Sequence, residues 1–169
     1  MSHKGGRTVG FRVDDGESRI TYLPDHAPHT ATPQETASAL AIARNVDVLL
    51  HDAQFLGHQR AIADDYGHAT IDDAVAFADE AEVGHLVLVH HSPGRTDEQV
   101  EQAAPARTPG GRPVSVGHEG DRLTLGTDAL LDPASTRRAT VLVSDLKGST
   151  ALAERFDAET LRQVLNTYF

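Results

Sequence analysis

The chain has 169 residues, of which 39% are hydrophobic and 5% aromatic, enough to bury one ordinary core and too many for a disordered segment. Its formal net charge of −10 argues against a broad nucleic-acid-binding surface, because such surfaces need basic side chains to displace counterions. Without cysteine there is no disulfide, so a transition-metal site must use nitrogen and oxygen ligands, which suit zinc, manganese or iron. With no long apolar run and no hydrophobic signal region, we expect a cytoplasmic protein without membrane contact.

Strand and helix signals alternate along the first part of the chain, which predicts a layered α/β domain. The predicted strands cover residues 8–13, 19–23, 46–50 and 85–89. The predicted helices follow the capping side chains of Thr32, Thr70 and Thr96.

The later part of the chain divides into smaller pieces. A loop at 104–113 precedes a predicted hairpin of residues 114–116 with 122–125. Residues 127–138 lack periodicity and fit a linker, whereas residues 139–144 again predict a strand and 150–169 predict helices. This short last piece is too small to form a core alone.

Asp25 and His90 each follow the end of a predicted strand, at the edge where α/β proteins build their sites. A carboxylate there can bridge two metal ions, and a neutral imidazole is a good ligand. The alternatives are an aspartate that caps a local turn and, above all for His91, a histidine that is hydrogen-bonded within its loop.

Asp52 and His68 are separated by 15 residues that include two glycines, enough to bring the two side chains together. An aspartate that orients a histidine is the usual arrangement for proton transfer, although either residue could equally serve the fold alone. The remaining histidines that we interpret as surface or core residues are His26, His29, His58, His85 and His118.

Near the carboxyl terminus, VLVSDLKGST places Asp145 at a strand end before a glycine turn. Asp145 could hold a divalent metal, and the amides near Gly148 could receive phosphate oxygens.

The segments HDAQF, YGHAT and LVLVHHSPGRTD together resemble the carboxy-terminal half of the metallo-β-lactamase fold, in the branch of tRNase Z and phosphodiesterase-like hydrolases. The resemblance covers residues 7–126 and implies half of an αββα sandwich. It implies that Asp25 bridges two metal ions, zinc or manganese, and that His90 is a terminal ligand. His68, oriented by Asp52, would contact the scissile phosphate or protonate the leaving group.

The same family builds its main metal cradle from an HxHxDH motif, which this sequence lacks. The expectation is therefore a chain that begins midway through the fold, with the domain represented by residues 1–126 and the other ligands upstream. Half a sandwich also predicts a sheet face bare to water, and hence a chain of low stability.

The last segment, TVLVSDLKGSTALAERFDAETLRQVLNTYF, resembles the opening of a class III adenylate/guanylate cyclase domain of ferredoxin-like fold. The resemblance covers residues 139–169, after the linker at 127–138. It implies that Asp145 binds magnesium or manganese, that the complete domain binds a nucleoside triphosphate, and that the protein forms a homodimer through it.

The leading hypothesis is a fused signalling protein, in which a dinuclear metal site of zinc or manganese activates water against a small anionic phosphoester. The alternative is a domain that binds a ligand without hydrolysing it and regulates the cyclase.

Overall fold

The computed structural model describes residues 2–3, 6–125 and 137–139, and it has the α/β architecture that the sequence predicts. The strands are β1 (Ser2–His3), β2 (Gly6–Arg7), β3 (Phe11–Asp14), β4 (Arg19–Leu23), β5 (Val48–Asp52), β6 (His85–Val89), β7 (Val114–Val116), β8 (Leu123–Leu125) and β9 (Arg137–Ala139). The helices are α1 (Pro33–Ala43), α2 (Arg60–Tyr66), α3 (Ile71–Glu80) and α4 (Asp97–Ala103), and a 3-10 turn covers Gly57–Gln59. None of the described helices is long and apolar enough to cross a membrane.

Five of the strands form one mixed sheet in the order β3-β4-β5-β6-β7. Strands β3 and β4 are the predicted antiparallel hairpin, whereas β4 to β7 run parallel. The register pairs Leu23 with His51, and Asp52 with Val89. The carboxyl ends of β4, β5 and β6 therefore meet at one edge of the sheet.

Reciprocal capping boxes begin three of the helices, as the sequence predicts. In each, the threonine hydroxyl accepts a hydrogen bond from the backbone amide of the third helical residue. The side chain of that third residue in turn accepts a hydrogen bond from the backbone amide of the threonine. The pairs are Thr32–Glu35, Thr70–Asp73 and Thr96–Gln99. Helices α1 and α3 cover one face of the sheet and bury Leu40 and Phe77 against Leu49 and Leu86. Each fully buried leucine of this layer contributes about 1.5–3 kcal/mol to the stability of the domain.

The opposite face of the sheet is also apolar, but it is covered unevenly. Val48, Leu50, Val87 and Val89 are buried there, and Leu123 and Leu125 of β8 pack against them. Toward β3 the cover is thinner, since Phe11 is 56% exposed and Val13 is 63% exposed. Phe11 pairs with Tyr22 and Val13 pairs with Ile20, and both partners pack against this face. The two exposed residues therefore lie on the same face. The predicted bare face thus corresponds only to this end of the sheet, and its effect on stability stays a prediction.

The predicted hairpin of residues 114–116 with 122–125 is wrong. Strand β7 instead pairs in parallel with β6, and β8 pairs in antiparallel with β9. The edge of β6 offers β7 unpaired backbone groups within a large sheet. A local hairpin of two three-residue strands would be less stable than this pairing.

Strand β9 begins inside the segment predicted as a linker. The rest of that linker, residues 127–136, and the rest of the proposed cyclase segment, residues 140–169, lie outside the described residues, and Asp145 is among them.

Sequence reasoning missed the short helix α2. It has no side-chain cap, so the sequence carries no start signal for it. It ends at Gly67, whose φ of 77° lies in the left-handed region that favours glycine. Arg60 ties the helix to α3 through Asp73, with a nitrogen–oxygen distance of 2.5 Å. This contact is tertiary, which explains why local sequence does not reveal it.

Candidate metal centre

Four polar side chains converge at the edge where β4, β5 and β6 end. Asp25 follows β4, Asp52 is the last residue of β5, and His90 follows β6 directly. His68 comes from the loop between α2 and α3, immediately after the turn at Gly67. The sequence predicted all four as candidate residues, and the parallel register is what brings them together.

Asp52 is the centre of the hydrogen bonding. Its Oδ2 lies 2.7 Å from Nδ1 of His68 and 3.7 Å from Nδ1 of His90. Oδ1 of Asp25 lies 3.9 Å from Nδ1 of each of these histidines, and the two imidazole rings are 4.9 Å apart between centroids. Asp25, His68 and His90 each offer a ligand atom within 4.8 Å of the others. This spacing is small enough for one cation to reach all three groups.

Burial and charge act in opposite directions on Asp52, which is fully buried. Burial alone would raise the pKa of its carboxyl, but hydrogen bonds with His68 and His90 outweigh burial and hold the pKa below its usual range. Asp52 is therefore an anion in the folded protein, and it favours a proton on Nδ1 of His68.

The backbone of His90 adopts a φ of 60°, in the left-handed region that non-glycine residues rarely occupy. Such a conformation costs about 1–3 kcal/mol and persists only where the surroundings enforce it. It turns the chain at the end of β6, and the ring of His90 lies beside Asp25 and Asp52 as a result. His91 is half-buried outside this group, and burial lowers its pKa.

The donor set fits a transition metal. Two imidazole nitrogens with carboxylate oxygen suit zinc, manganese or iron, and Asp52 supplies the second contact that fixes the tautomer of a ligating histidine. Asp25 and His90 would hold the ion, and His68, which the sequence assigned to proton transfer, lies close enough to reach it as well.

Beneath this cluster lies a buried histidine pair whose arrangement sequence reasoning missed. Nδ1 of His26 is 2.8 Å from Nε2 of His51, and Nδ1 of His51 donates to the backbone oxygen of Asp52 at 2.7 Å. The ring of Phe77 packs against both histidines, with centroids 4.7 and 5.2 Å away.

Burial, together with the neighbouring ring of His51, lowers the pKa of His26 to about 3. Burial also lowers the pKa of His51. One signal for this pair was present in the sequence, since each histidine is adjacent to a carboxylate at a strand end, in Asp25-His26 and His51-Asp52.

A family model described as a β-lactamase superfamily domain matches residues 1–91, more than half of the chain. This chain belongs to the β-lactamase superfamily. Within the superfamily its similarity lies with the ribonuclease Z branch. It is 36% identical over 91 residues to ribonuclease Z of Archaeoglobus fulgidus, an alignment that covers 52% of this chain and 28% of that protein.

Another ribonuclease Z, from Halalkalibacterium halodurans, is 45% identical over 53 residues, which cover 31% of this chain and 17% of that protein. The chain spans less than a third of the length of the curated relatives that it matches. Among solved structures, the metallo-β-lactamase fold protein YhfI from Bacillus subtilis aligns with a TM-score of 0.50 at 22% identity. The alignment covers 64% of this chain and 40% of that one, and it supports the shared fold alone. Superfamily members of this type use divalent metals, typically zinc.

Proposed function

We propose that this chain supplies part of the active centre of a metal-dependent phosphodiesterase that acts on RNA, like the ribonuclease Z relatives. The observation that carries the proposal is the cluster of Asp25, His68 and His90 above the buried Asp52. A metal ion held there would polarise the scissile phosphodiester and activate water for attack. The net charge of −10 favours a small RNA contact near the centre over a broad one.

Asp25 and His90 are the proposed ligands, and by the family resemblance Asp25 would bridge two ions. Asp52 holds Nδ1 of His68, which leaves Nε2 to act toward the substrate or the ion. In the proposed reaction, the oxygen of water bonds to phosphorus and releases a proton to the solvent, and the bond to the leaving oxygen breaks. His68 donates its Nε2 proton to the leaving oxygen and regains a proton from the solvent. The anionic Asp52 stabilises the protonated ring before the transfer, as in other aspartate–histidine pairs.

The test is zinc or manganese binding by the whole chain, measured by calorimetry and by metal analysis after gel filtration. We expect the native chain to bind metal, and we expect Asp25→Asn and His90→Gln each to weaken the metal affinity by about tenfold or more. His29→Gln is the control, because this exposed histidine contacts Asp64 away from the site. Metal binding below one ion per chain, or binding unchanged in both variants, would refute the proposal.

Hydrolysis provides the second measurement, with a short RNA and a single-phosphate diester as substrates. We expect His68→Ala to lower kcat by about 100-fold or more, the usual effect of losing a general acid. Full hydrolysis after His68→Ala would contradict its role as proton donor. No contact among the described residues favours the alternative of a ligand-sensing module.

The junction with a class III cyclase domain is a separate proposal, supported by the residue pattern around Asp145 alone. It predicts cyclic nucleotide formation that depends on magnesium or manganese and is lost in Asp145→Asn, in a homodimeric protein. Activity that is unchanged in Asp145→Asn would refute it.

A further inference from the structure

A polar cleft of about 390 Å³ is lined by residues of the segments that follow β5 and β6. Its walls carry Ser92, Arg95 and the three glutamines Gln59, Gln99 and Gln102. A volume of this size lies within the range of small-molecule sites. We refer to it as the Arg95 cleft, since Arg95 is its only positively charged lining residue within the described part of the chain.

Residues at both walls of the Arg95 cleft lie close in the chain to residues of the metal centre. Nη1 of Arg95 donates to the backbone oxygen of Gln54 at 3.1 Å, and Gln54 is two residues beyond Asp52. Chain geometry therefore puts the guanidinium within roughly 12 Å of the Asp52 backbone. On the other wall, Ser92 is two residues beyond His90. A substrate that extends past the metal centre can reach this cation.

The charge on Arg95 is balanced differently from that on comparable arginines. Its guanidinium donates to two neutral acceptors, the backbone carbonyl of Gln54 and Oε1 of Gln59, the latter at 2.9 Å. Among the described residues, the other half-buried arginines each lie close to an aspartate, in the pairs Arg12–Asp14 at 3.7 Å, Arg60–Asp73 at 2.5 Å and Arg112–Asp79 at 3.4 Å. Burial lowers the pKa of Arg95, as expected for a cation that loses water without gaining a carboxylate.

The neighbouring side chains can supply hydrogen-bond donors to an anion. Oε1 of Gln99 accepts the Thr96 amide, and Oε1 of Gln59 accepts from Arg95, so each of these glutamines retains its NH2 group. Gln102 differs, because its NH2 group donates to Glu98 at 3.1 Å. A guanidinium flanked by amide donors is a typical arrangement for recognising phosphate.

We propose that the Arg95 cleft binds a phosphate group of the substrate other than the one at the metal centre. This inference rests on the proposed function for its biological ligand, but not for the binding of phosphate itself. In a chain with a net charge of −10, a local cation that pairs with no carboxylate among the described residues would offset the repulsion of an RNA end.

The test uses inorganic phosphate and the whole chain after treatment with a chelator, so that metal cannot contribute. Binding is followed by NMR of the arginine Nε–H signals at constant ionic strength. We expect millimolar affinity that falls by about tenfold in Arg95→Met and less in Arg95→Lys, which keeps the charge but loses the fork. Arg107→Met is the matched control, because Arg107 is exposed and also donates to a backbone carbonyl, that of Gly111.

Gln99→Glu tests the charge without removing any contact of Arg95. Glutamate keeps the capping oxygen for Thr96 while adding a negative charge to the cleft, so phosphate binding should weaken by several fold. Absence of phosphate binding to the native chain, or equal binding by the native chain, Arg95→Met and Gln99→Glu, would overturn the proposal. If the native chain binds phosphate but does not hydrolyse the diester substrates, the result counts against the proposed function and not against phosphate binding in the Arg95 cleft.

Discussion

Acidification should destabilise the folded protein through His26, well before its carboxylates take up protons. The ordinary histidine pKa of 6.5 applies to the unfolded chain, whereas burial lowers the pKa of His26 to about 3 in the folded state. The unfolded chain therefore binds more protons below pH 6.5, and stability falls as the pH falls toward the folded value. Each pH unit costs up to about 1.4 kcal/mol, which gives a loss of about 2 kcal/mol between pH 7 and pH 5.

Urea unfolding in the presence of a chelator measures this loss at the two pH values. In His26→Leu, stability near neutral pH should fall by about 1–3 kcal/mol, because Nε2 of His51 loses its donor. The additional loss on acidification should shrink by about 2 kcal/mol, because one titrating group is gone. Asp52 and Asp73 do not interfere, since their lowered pKa values act only near and below the ordinary 3.8.

Phe77→Leu is the control for this experiment. It removes packing against His26 and His51 but no titrating group, so it should lower stability similarly at both pH values. If the native protein and His26→Leu lose equal stability on acidification, then His26 is not held neutral by the fold and the reasoning fails.

Three further changes test other parts of the structure. Thr70→Ala removes the amino-terminal cap of α3 and should cost about 1 kcal/mol in urea unfolding, whereas Thr70→Ser should cost little; equal stability of the two variants would contradict the capping role. Gly84→Ala would bring a Cβ within 2.8 Å of the Asp47 backbone oxygen and should cost about 1–3 kcal/mol, unlike Gly94→Ala in open space; similar melting of the two would refute this clash. Asp52→Asn should weaken zinc binding by about 10–100-fold in calorimetry, because the ligating His90 loses its buried carboxylate partner, and unchanged affinity would show that Asp52 does not orient this ligand.

Much of the fold could be predicted because its signals are local. A threonine three residues before Glu35 or Asp73 defines a helix start within one turn, and the structure has the reciprocal contacts. The strand predicted at residues 85–89 coincides with β6 for the same reason, since its continuous apolar run needs no distant partner to be recognised.

Strand pairing was less predictable than the strands themselves. The segment at Val114–Val116 is short, and local sequence allowed it to turn back on residues 122–125. In the structure this segment pairs with β6 instead. The parallel pairing satisfies the backbone groups at the edge of β6, which would have no strand partner if the segment formed a local hairpin.

For the candidate site, the sequence by itself determined which side chains are available and that several of them follow strand ends. Only the tertiary structure decided that Asp25, His68 and His90 share one cluster, and that Asp52 lies among them as a buried anion. Residues so far apart in the chain meet through the parallel register of β4, β5 and β6 and the turn at Gly67. The pairing of His26 with His51 has the same origin, since their hydrogen bond spans two strand ends that only the folded sheet brings together.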